Sequence, residues 1–266
     1  MIRITSRSNP IISEAAQLKD RKYREISRAF MCEGIKLLRE AALSGADIRW
    51  VFALPEKVSE CERLVSPGTS IYEVTEPVFD KLTTEKSPEG IVFTVEYMEK
   101  LHRTEKVYGG DEKNNAVLLC SVRDPGNVGT MIRSAAAFGA GTLILSGDCA
   151  DIYNPRTIRA SMGAVFRQKT VVCEEFGETV SLLRENGWNV YAAVLDKKSV
   201  TPDSIPQDEK AAFIIGNEGS GIPAEIAEAA GHTVYIPICD GAESLNAAVA
   251  AAVLMYERSR GRILKK

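Results

Sequence analysis

The chemistry-bearing residues of this chain cluster in three short segments. In the first, Arg123-Asp124-Pro125-Gly126-Asn127 is followed by Arg133, six positions beyond Asn127 and set among Ser134, Ala135, Ala136 and Ala137. Pro-Gly forces a turn, and Asn127 is suited to cap the helix that follows. A guanidinium on that helix can bind an anion or steady a developing negative charge. Taken alone, the segment also reads as a capped helix with one solvated arginine. The second segment, Gly216-Asn217-Glu218-Gly219-Ser220-Gly221-Ile222-Pro223, has three glycines in six residues, so its backbone can approach a ligand closely. It lacks the GxGxxG spacing of a dinucleotide site, and no GxxxxGK[ST] occurs for a phosphate loop. The third segment runs from Cys239 through Glu243, Ser244, Leu245 and Asn246 into an alanine-rich stretch. Ser244 is suited to cap a helix there, with Asn246 one step inside.

These segments need strands and helices to position them. Over the first hundred residues, helices are expected at Ile11–Lys19, Cys32–Leu43, Lys57–Leu64 and Glu76–Thr83. Strands are expected at 48–54, 70–74 and 90–97. Residues 98–115 are polar, carry a Gly-Gly and repeat with neither period, which marks them as a linker. From 116 onward, short apolar strands at 116–122, 142–146, 169–174, 189–195, 211–216 and 233–238 alternate with helices at about 128–138, 155–162, 177–186, 223–230 and 245–259. Nearly unbroken apolar strands separated by helices indicate a parallel α/β sheet covered on both faces. Such a sheet binds ligands at the carboxyl ends of its strands, where all three segments lie. The expected organisation is an N-terminal domain at 1–97, a linker at 98–115 and a larger domain at 116–266.

Composition removes several other classes. The 266 residues are 45% hydrophobic and 26% charged with a net charge of −3, which excludes binding of nucleic acid by bulk charge. Residues 1–40 and 257–266 nevertheless each carry +4. The longest apolar stretch, Ala247–Tyr256, is ten residues, well short of the ~20 that span a bilayer. The N-terminus has no apolar core of a signal peptide. Six cysteines without CxxC spacing are expected to be buried thiols in a reducing cytoplasm. With two histidines, His102 and His232, no zinc site is expected, and a Ser-His-Asp hydrolase is disfavoured.

In order and spacing, NxGxxxRxAxxFGA (127–140), IIGNEGSGIP (214–223) and IPxxxxxESLNAAVA (236–250) resemble the three signature motifs of the SpoU/TrmH family of S-adenosylmethionine-dependent RNA ribose 2′-O-methyltransferases. Arg159 to Phe166 also fits the family pattern. The first hundred residues resemble, through MCEGIKLLREA, the L30e-like substrate-binding domain that many members carry.

The resemblance implies a parallel α/β sheet with a trefoil knot in its C-terminal part, working as a homodimer. It assigns catalysis to Arg133, with Asn127 positioning it and Glu218, Ser244 and Asn246 completing the constellation. It places S-adenosylmethionine, without a metal, against Gly216, Ile236, Ile238, Leu245 and Leu195. Because a guanidinium stays protonated, Arg133 is expected to bind the adjacent phosphate and stabilise the developing alkoxide, leaving the proton to phosphate or water. The third motif commonly continues with a second serine where Ala248 stands here.

For RNA, the basic cluster Lys19, Arg21, Lys22, Arg24 and Arg28, with Tyr23 among them, can meet phosphates; it also reads as a solvated helical face. Ribosomal RNA is the favoured substrate and transfer RNA the other. The competing readings are a non-catalytic RNA-binding protein that keeps the fold and, more remotely, a nucleotide-dependent oxidoreductase.

Overall fold

The computed structural model describes residues 2–98 and 115–263, side chains excepted at 262 and 263; of the expected linker, residues 99–114 lie outside the described residues. In chain order, the first part contains β1 (Ile2–Ile4), α1 (Pro10–Gln17), α2 (Arg21–Ser27), β2 (Ala29–Glu33), α3 (Ile35–Leu43), β3 (Ile48–Ala53), α4 (Val58–Glu62), β4 (Ser70–Val74), α5 (Glu76–Leu82) and β5 (Ile91–Glu96). There follow β6 (Asn115–Leu119), α6 (Pro125–Phe138), β7 (Thr142–Ser146), α7 (Pro155–Ser161), β8 (Thr170–Cys173), α8 (Phe176–Glu185), β9 (Asn189–Ala193), β10 (Ala211–Ile215), α9 (Ala224–Ala230), β11 (Gly231–Val234) and α10 (Ala247–Ile263). No helix among the described residues is long and apolar enough to cross a membrane. Two compact units result. One is Met1–Met98 with Asp151–Arg167, and the other Glu99–Ala150 with Gln168–Lys266, each taken over its described residues.

The first unit holds a mixed five-stranded sheet in the order β1-β4-β3-β5-β2. Here the structure corrects the expected helix Cys32–Leu43. Its first residues belong to β2, which pairs antiparallel with β5 from Ala29↔Glu96 to Glu33↔Val92. Gly34, at φ 97 and ψ 152, ends that strand and lets α3 begin at Ile35. A side chain at that φ is strained, and a Cβ would also lie 3.1 Å from Glu89 Oε2. Behind the sheet, Ile12, Leu18, Phe52, Val78, Phe79 and Leu82 form a continuous apolar core.

Asp151–Arg167, which the sequence reading places in the C-terminal half, packs within this first unit. Arg24 is only 2% exposed. Its Nη2 and Nε lie 2.6 and 3.0 Å from Asp151 Oδ2, and its Nη1 donates to the carbonyls of Leu18 (2.9 Å) and Lys19 (2.8 Å). The Tyr153 ring stacks on Tyr97 at 4.1 Å and meets Phe30 in a tilted contact at 4.5 Å, while its hydroxyl accepts from Met98 N at 3.1 Å. Arg159–Glu85 and Arg167–Glu40 ion pairs add to the seam.

The second unit is built on six parallel strands ordered β11-β9-β10-β6-β7-β8. Strands β6, β7 and β10 are buried along their whole length, as continuous apolar runs require. Two caps differ from expectation. Asp124, not Asn127, caps α6, accepting from Asn127 N at 2.9 Å with Pro125 in the first helical position. Asn246, not Ser244, caps α10, accepting from Ala248 N (2.9 Å) and Val249 N (3.2 Å). The last strand also stops earlier than the expected 233–238. After Val234 the chain leaves the sheet, and Pro237 has no N–H with which to extend a ladder.

Candidate functional site

Strands β6 and β10 are neighbours in register, with Leu119 opposite Ile215, so the segments leaving their carboxyl ends emerge side by side. Cys120 N donates to Ile215 O at 2.8 Å, and the two segments diverge from there. One continues through Ser121 to Asp124 and α6; the other turns through Gly216 to Gly221. Within that turn Asn217 and Gly221 exchange both backbone hydrogen bonds at 3.0 Å. The turn is so tight that a Cβ on Gly216 would lie 2.4 Å from the Gly221 carbonyl carbon.

The Asn127 side chain, projecting from the first turn of α6, joins all three segments. Its Nδ2 donates to Glu218 Oε1 at 2.5 Å, and its Oδ1 accepts from Asn246 Nδ2 at 3.1 Å. Chemistry dictates both amide orientations. A carboxylate only accepts, so the Asn127 nitrogen must face Glu218. Asn246 turns its oxygen to the two N–H groups opening α10, so its nitrogen must face Asn127. One amide thus pins the start of α6, the 216–221 turn and the start of α10 to each other.

Arg133 and Ser244 stand outside this chain of hydrogen bonds. Both are exposed, and among the described residues Arg133 makes no hydrogen bond or ion pair. Its guanidinium is therefore available to an anion. Asn127 is bonded to Glu218 and Asn246 and makes no hydrogen bond to Arg133. The sequence reading overlooked Asn217, whose side chain spans the two diverging segments. Its Nδ2 donates to Ser121 O at 2.8 Å, and its Oδ1 accepts from Gly219 N (2.9 Å), Ser220 N (3.1 Å) and Ser220 Oγ (3.3 Å). An Asx turn inside a glycine-rich loop was the available signal.

The residues expected to hold the cofactor offer main chain and apolar surface. Ile236, Ile238 and Leu245 are half-buried, as is Gly216, while Leu195 is 68% exposed. Among the described residues, the backbone of 236–245 makes a single hydrogen bond, Ala242 N to Cys239 O at 3.4 Å. Its other N–H and C=O groups have no protein partner among the described residues and can bond water or a ligand. Neutral donors and acceptors beside apolar side chains suit a nucleoside carrying a sulfonium, which needs hydrogen bonds to its base and ribose and no counter-charge at close range. Among the described residues, no cluster of His, Cys, Asp or Glu could hold a metal ion.

Cys239 provides a probe of this segment. It is exposed, whereas Cys32, Cys61, Cys120, Cys149 and Cys173 are buried. Burial raises the Cys61 and Cys149 thiols to about 11. A thiol reagent on the native protein is expected to modify one cysteine fast, and saturating S-adenosylmethionine to slow that reaction. Fast modification unchanged by the nucleoside would remove 236–245 from the cofactor site.

The basic cluster of the first unit is largely committed elsewhere. Arg24 is withdrawn as an RNA ligand, because its guanidinium is buried and all three nitrogens are used. Lys19 Nζ donates to the carbonyls of Lys81 (2.9 Å) and Thr83 (2.8 Å), and Arg21 Nε to Glu25 at 2.8 Å. Arg28 lies over the Tyr97 ring at 4.9 Å. Lys22 is exposed, with no side-chain partner among the described residues.

Comparison with known proteins gives consistent matches. The SpoU rRNA Methylase family matches residues 114–256, and the MRM3-like substrate binding domain matches residues 9–92. A Bacillus subtilis relative, the 23S rRNA (guanosine(2553)-2′-O)-methyltransferase RlmP, is 33% identical over 257 residues, covering 96% of this chain and 98% of its own. The AdoMet-bound rRNA methyltransferase from Sinorhizobium meliloti has a similar structure, with a TM-score of 0.86, 32% identity and 97% of each chain covered. The AviRb SpoU methyltransferase from Streptomyces viridochromogenes, in complex with AdoMet, superposes with a TM-score of 0.82 at 26% identity, covering 96% of this chain and 98% of its own.

Proposed function

The chain belongs to the SpoU rRNA methylase family, and from that membership we infer that it transfers a methyl group from S-adenosylmethionine to a ribose 2′-hydroxyl of ribosomal RNA. The observation in its own structure that carries the reading is the Asn127 amide, which ties Glu218, Asn246 and the start of α6 into one constellation at the strand ends. The family's knotted C-terminal part belongs to the same reading, supported by the close match to the rRNA methyltransferase structures.

When bound, the cofactor supplies a methyl group on positively charged sulfur. Gly216, Ile236, Ile238 and Leu245 would hold it, with Leu195 at the margin. The protein must then orient the ribose oxygen and stabilise charge as a weakly acidic proton departs. Arg133 meets the second need. Cationic, and with no hydrogen bond or ion pair among the described residues, it binds the phosphate beside the reacting ribose and stabilises the forming alkoxide, while phosphate or water takes the proton. Glu218 and Asn127 position the helix that carries it. Asn246 and Ser244 shape the edge of the site that receives the nucleotide.

The first unit supplies the RNA-binding surface, in keeping with its match to a substrate-binding domain. Lys22, Arg21 and Arg28 are its exposed cations in the α2 region, with Lys19 beside them. Large-subunit RNA is the favoured target, since the B. subtilis relative is named for 23S rRNA. Such a substrate and the buried free thiols support a cytoplasmic setting. The test is transfer of labelled methyl to separated RNAs: label is expected in rRNA, and label confined to tRNA would redirect the assignment.

The working form is a homodimer. Helices α6 and α10 flank a groove lined by Phe138, Val249, Val253 and Tyr256, the last three exposed, with Phe138 and Tyr256 in edge contact at 5.7 Å. Sedimentation of the full chain is expected to report a dimer, and Val253→Glu a monomer. A monomeric wild-type chain would contradict this.

A further inference from the structure

We infer that Asn217 is a positioning residue for methyl transfer, acting through Ser121 and Glu218. Ser121 has φ 56, a left-handed conformation that an L-residue adopts at a penalty. It sits between the end of β6 and the cap of α6, so its backbone sets the direction in which α6, with Asn127 and Arg133, departs. Two bonds hold it there. Its N–H donates to Ser146 Oγ at 2.8 Å, and its carbonyl accepts from Asn217 Nδ2 at 2.8 Å. Ser146 is held in turn, its hydroxyl donating to Asp148 Oδ1 at 2.7 Å.

The other end of the Asn217 amide shapes the turn that presents Glu218. Its Oδ1 collects the N–H groups of Gly219 and Ser220, the residues that follow Glu218, while its backbone closes the turn against Gly221. A single side chain therefore sets both partners of the Asn127–Glu218 hydrogen bond, one through each end of its amide. Neither Asn217 nor Ser121 needs to touch the reacting groups for this.

The inference rests on the methyl-transfer reading, and the two fail differently. A wild-type chain inactive on rRNA would overturn that reading. The inference itself is tested by Asn217→Asp, an isosteric change that keeps the acceptor for Gly219 and Ser220 but sets a carboxylate oxygen against the Ser121 carbonyl. Because a displacement of about 1 Å can lower a rate about 100-fold, kcat is expected to fall about 10- to 100-fold, with KM for RNA and S-adenosylmethionine little changed. Adding Ser121→Gly, which relieves the left-handed strain, should recover most of that loss. Ser146→Ala loosens Ser121 from the other side, leaves the 216–221 turn intact, and is expected to lower kcat several-fold even if the aspartate variant folds poorly. Wild-type kcat in both Asn217→Asp and Ser146→Ala would overturn the inference. So would a loss in Asn217→Asp that Ser121→Gly leaves untouched.

Discussion

Arg133→Ala is expected to lower the single-turnover rate of methyl transfer about 1,000-fold, the upper end of what removing one preorganised charge-stabilising donor does. The affinity for S-adenosylmethionine should stay within a few-fold, because among the described residues Arg133 makes no hydrogen bond to any residue assigned to the cofactor. Loss of fold cannot imitate this result. The side chain is exposed and has no hydrogen bond or ion pair among the described residues, and truncating such a residue changes stability by only about 0.5 kcal/mol. Arg133→Lys separates charge from geometry. An ammonium keeps the charge but loses the planar fork, so partial recovery of rate is expected. Near-normal turnover in Arg133→Ala would place the catalytic centre elsewhere.

The second large effect is on stability. Arg24→Ala would leave the Asp151 carboxylate, itself 86% covered, without its cation, and the Leu18 and Lys19 carbonyls without their donor. Removing one member of a buried pair costs about 3–5 kcal/mol. At about 2–4 °C per kcal/mol for a chain of this size, the unfolding midpoint should drop by roughly 6–20 °C. The double change Arg24→Met with Asp151→Asn, which removes both charges, should restore much of that loss. A shift in Arg24→Ala of under about 1 kcal/mol, the ordinary value of an exposed pair, would show that the pair is solvated and return Arg24 to the candidate RNA ligands. The same contacts bear on truncation. Excising residues 1–97 would strip Tyr153 of Phe30 and Tyr97, and Asp151 of Arg24, so RNA binding is properly compared among full-length variants.

Much of the second unit was legible because its strands are buried on both faces. Apolar runs at β7 and β10 announce themselves at nearly their true limits, whereas β6 ends at Leu119, three residues before the expected 122. In the first unit, β2 was hidden because Met31 and Cys32 continue the apolar pattern of α3, with only Gly34 to separate them. The α6 cap was misread because Asp124 and Asn127 both suit an N-cap. Pro125 decides between them, since proline favours the first helical position. The site motifs were recognisable by order and spacing, but the hydrogen bond from Asn127 to Glu218, 91 residues apart, is a fact of tertiary structure. The burial of Arg24 lay equally out of reach. Its partner is 127 residues away, and a run of basic residues does not indicate which one turns inward.

The most direct test incubates the full chain with labelled S-adenosylmethionine and bacterial ribosomal RNA, free or in assembling particles, and digests the product to nucleosides. Label in a 2′-O-methylnucleoside is the predicted result, and its base will identify the target nucleotide. Label on a base instead of the ribose, or no label from any of these substrates, would contradict ribose methyl transfer by this chain.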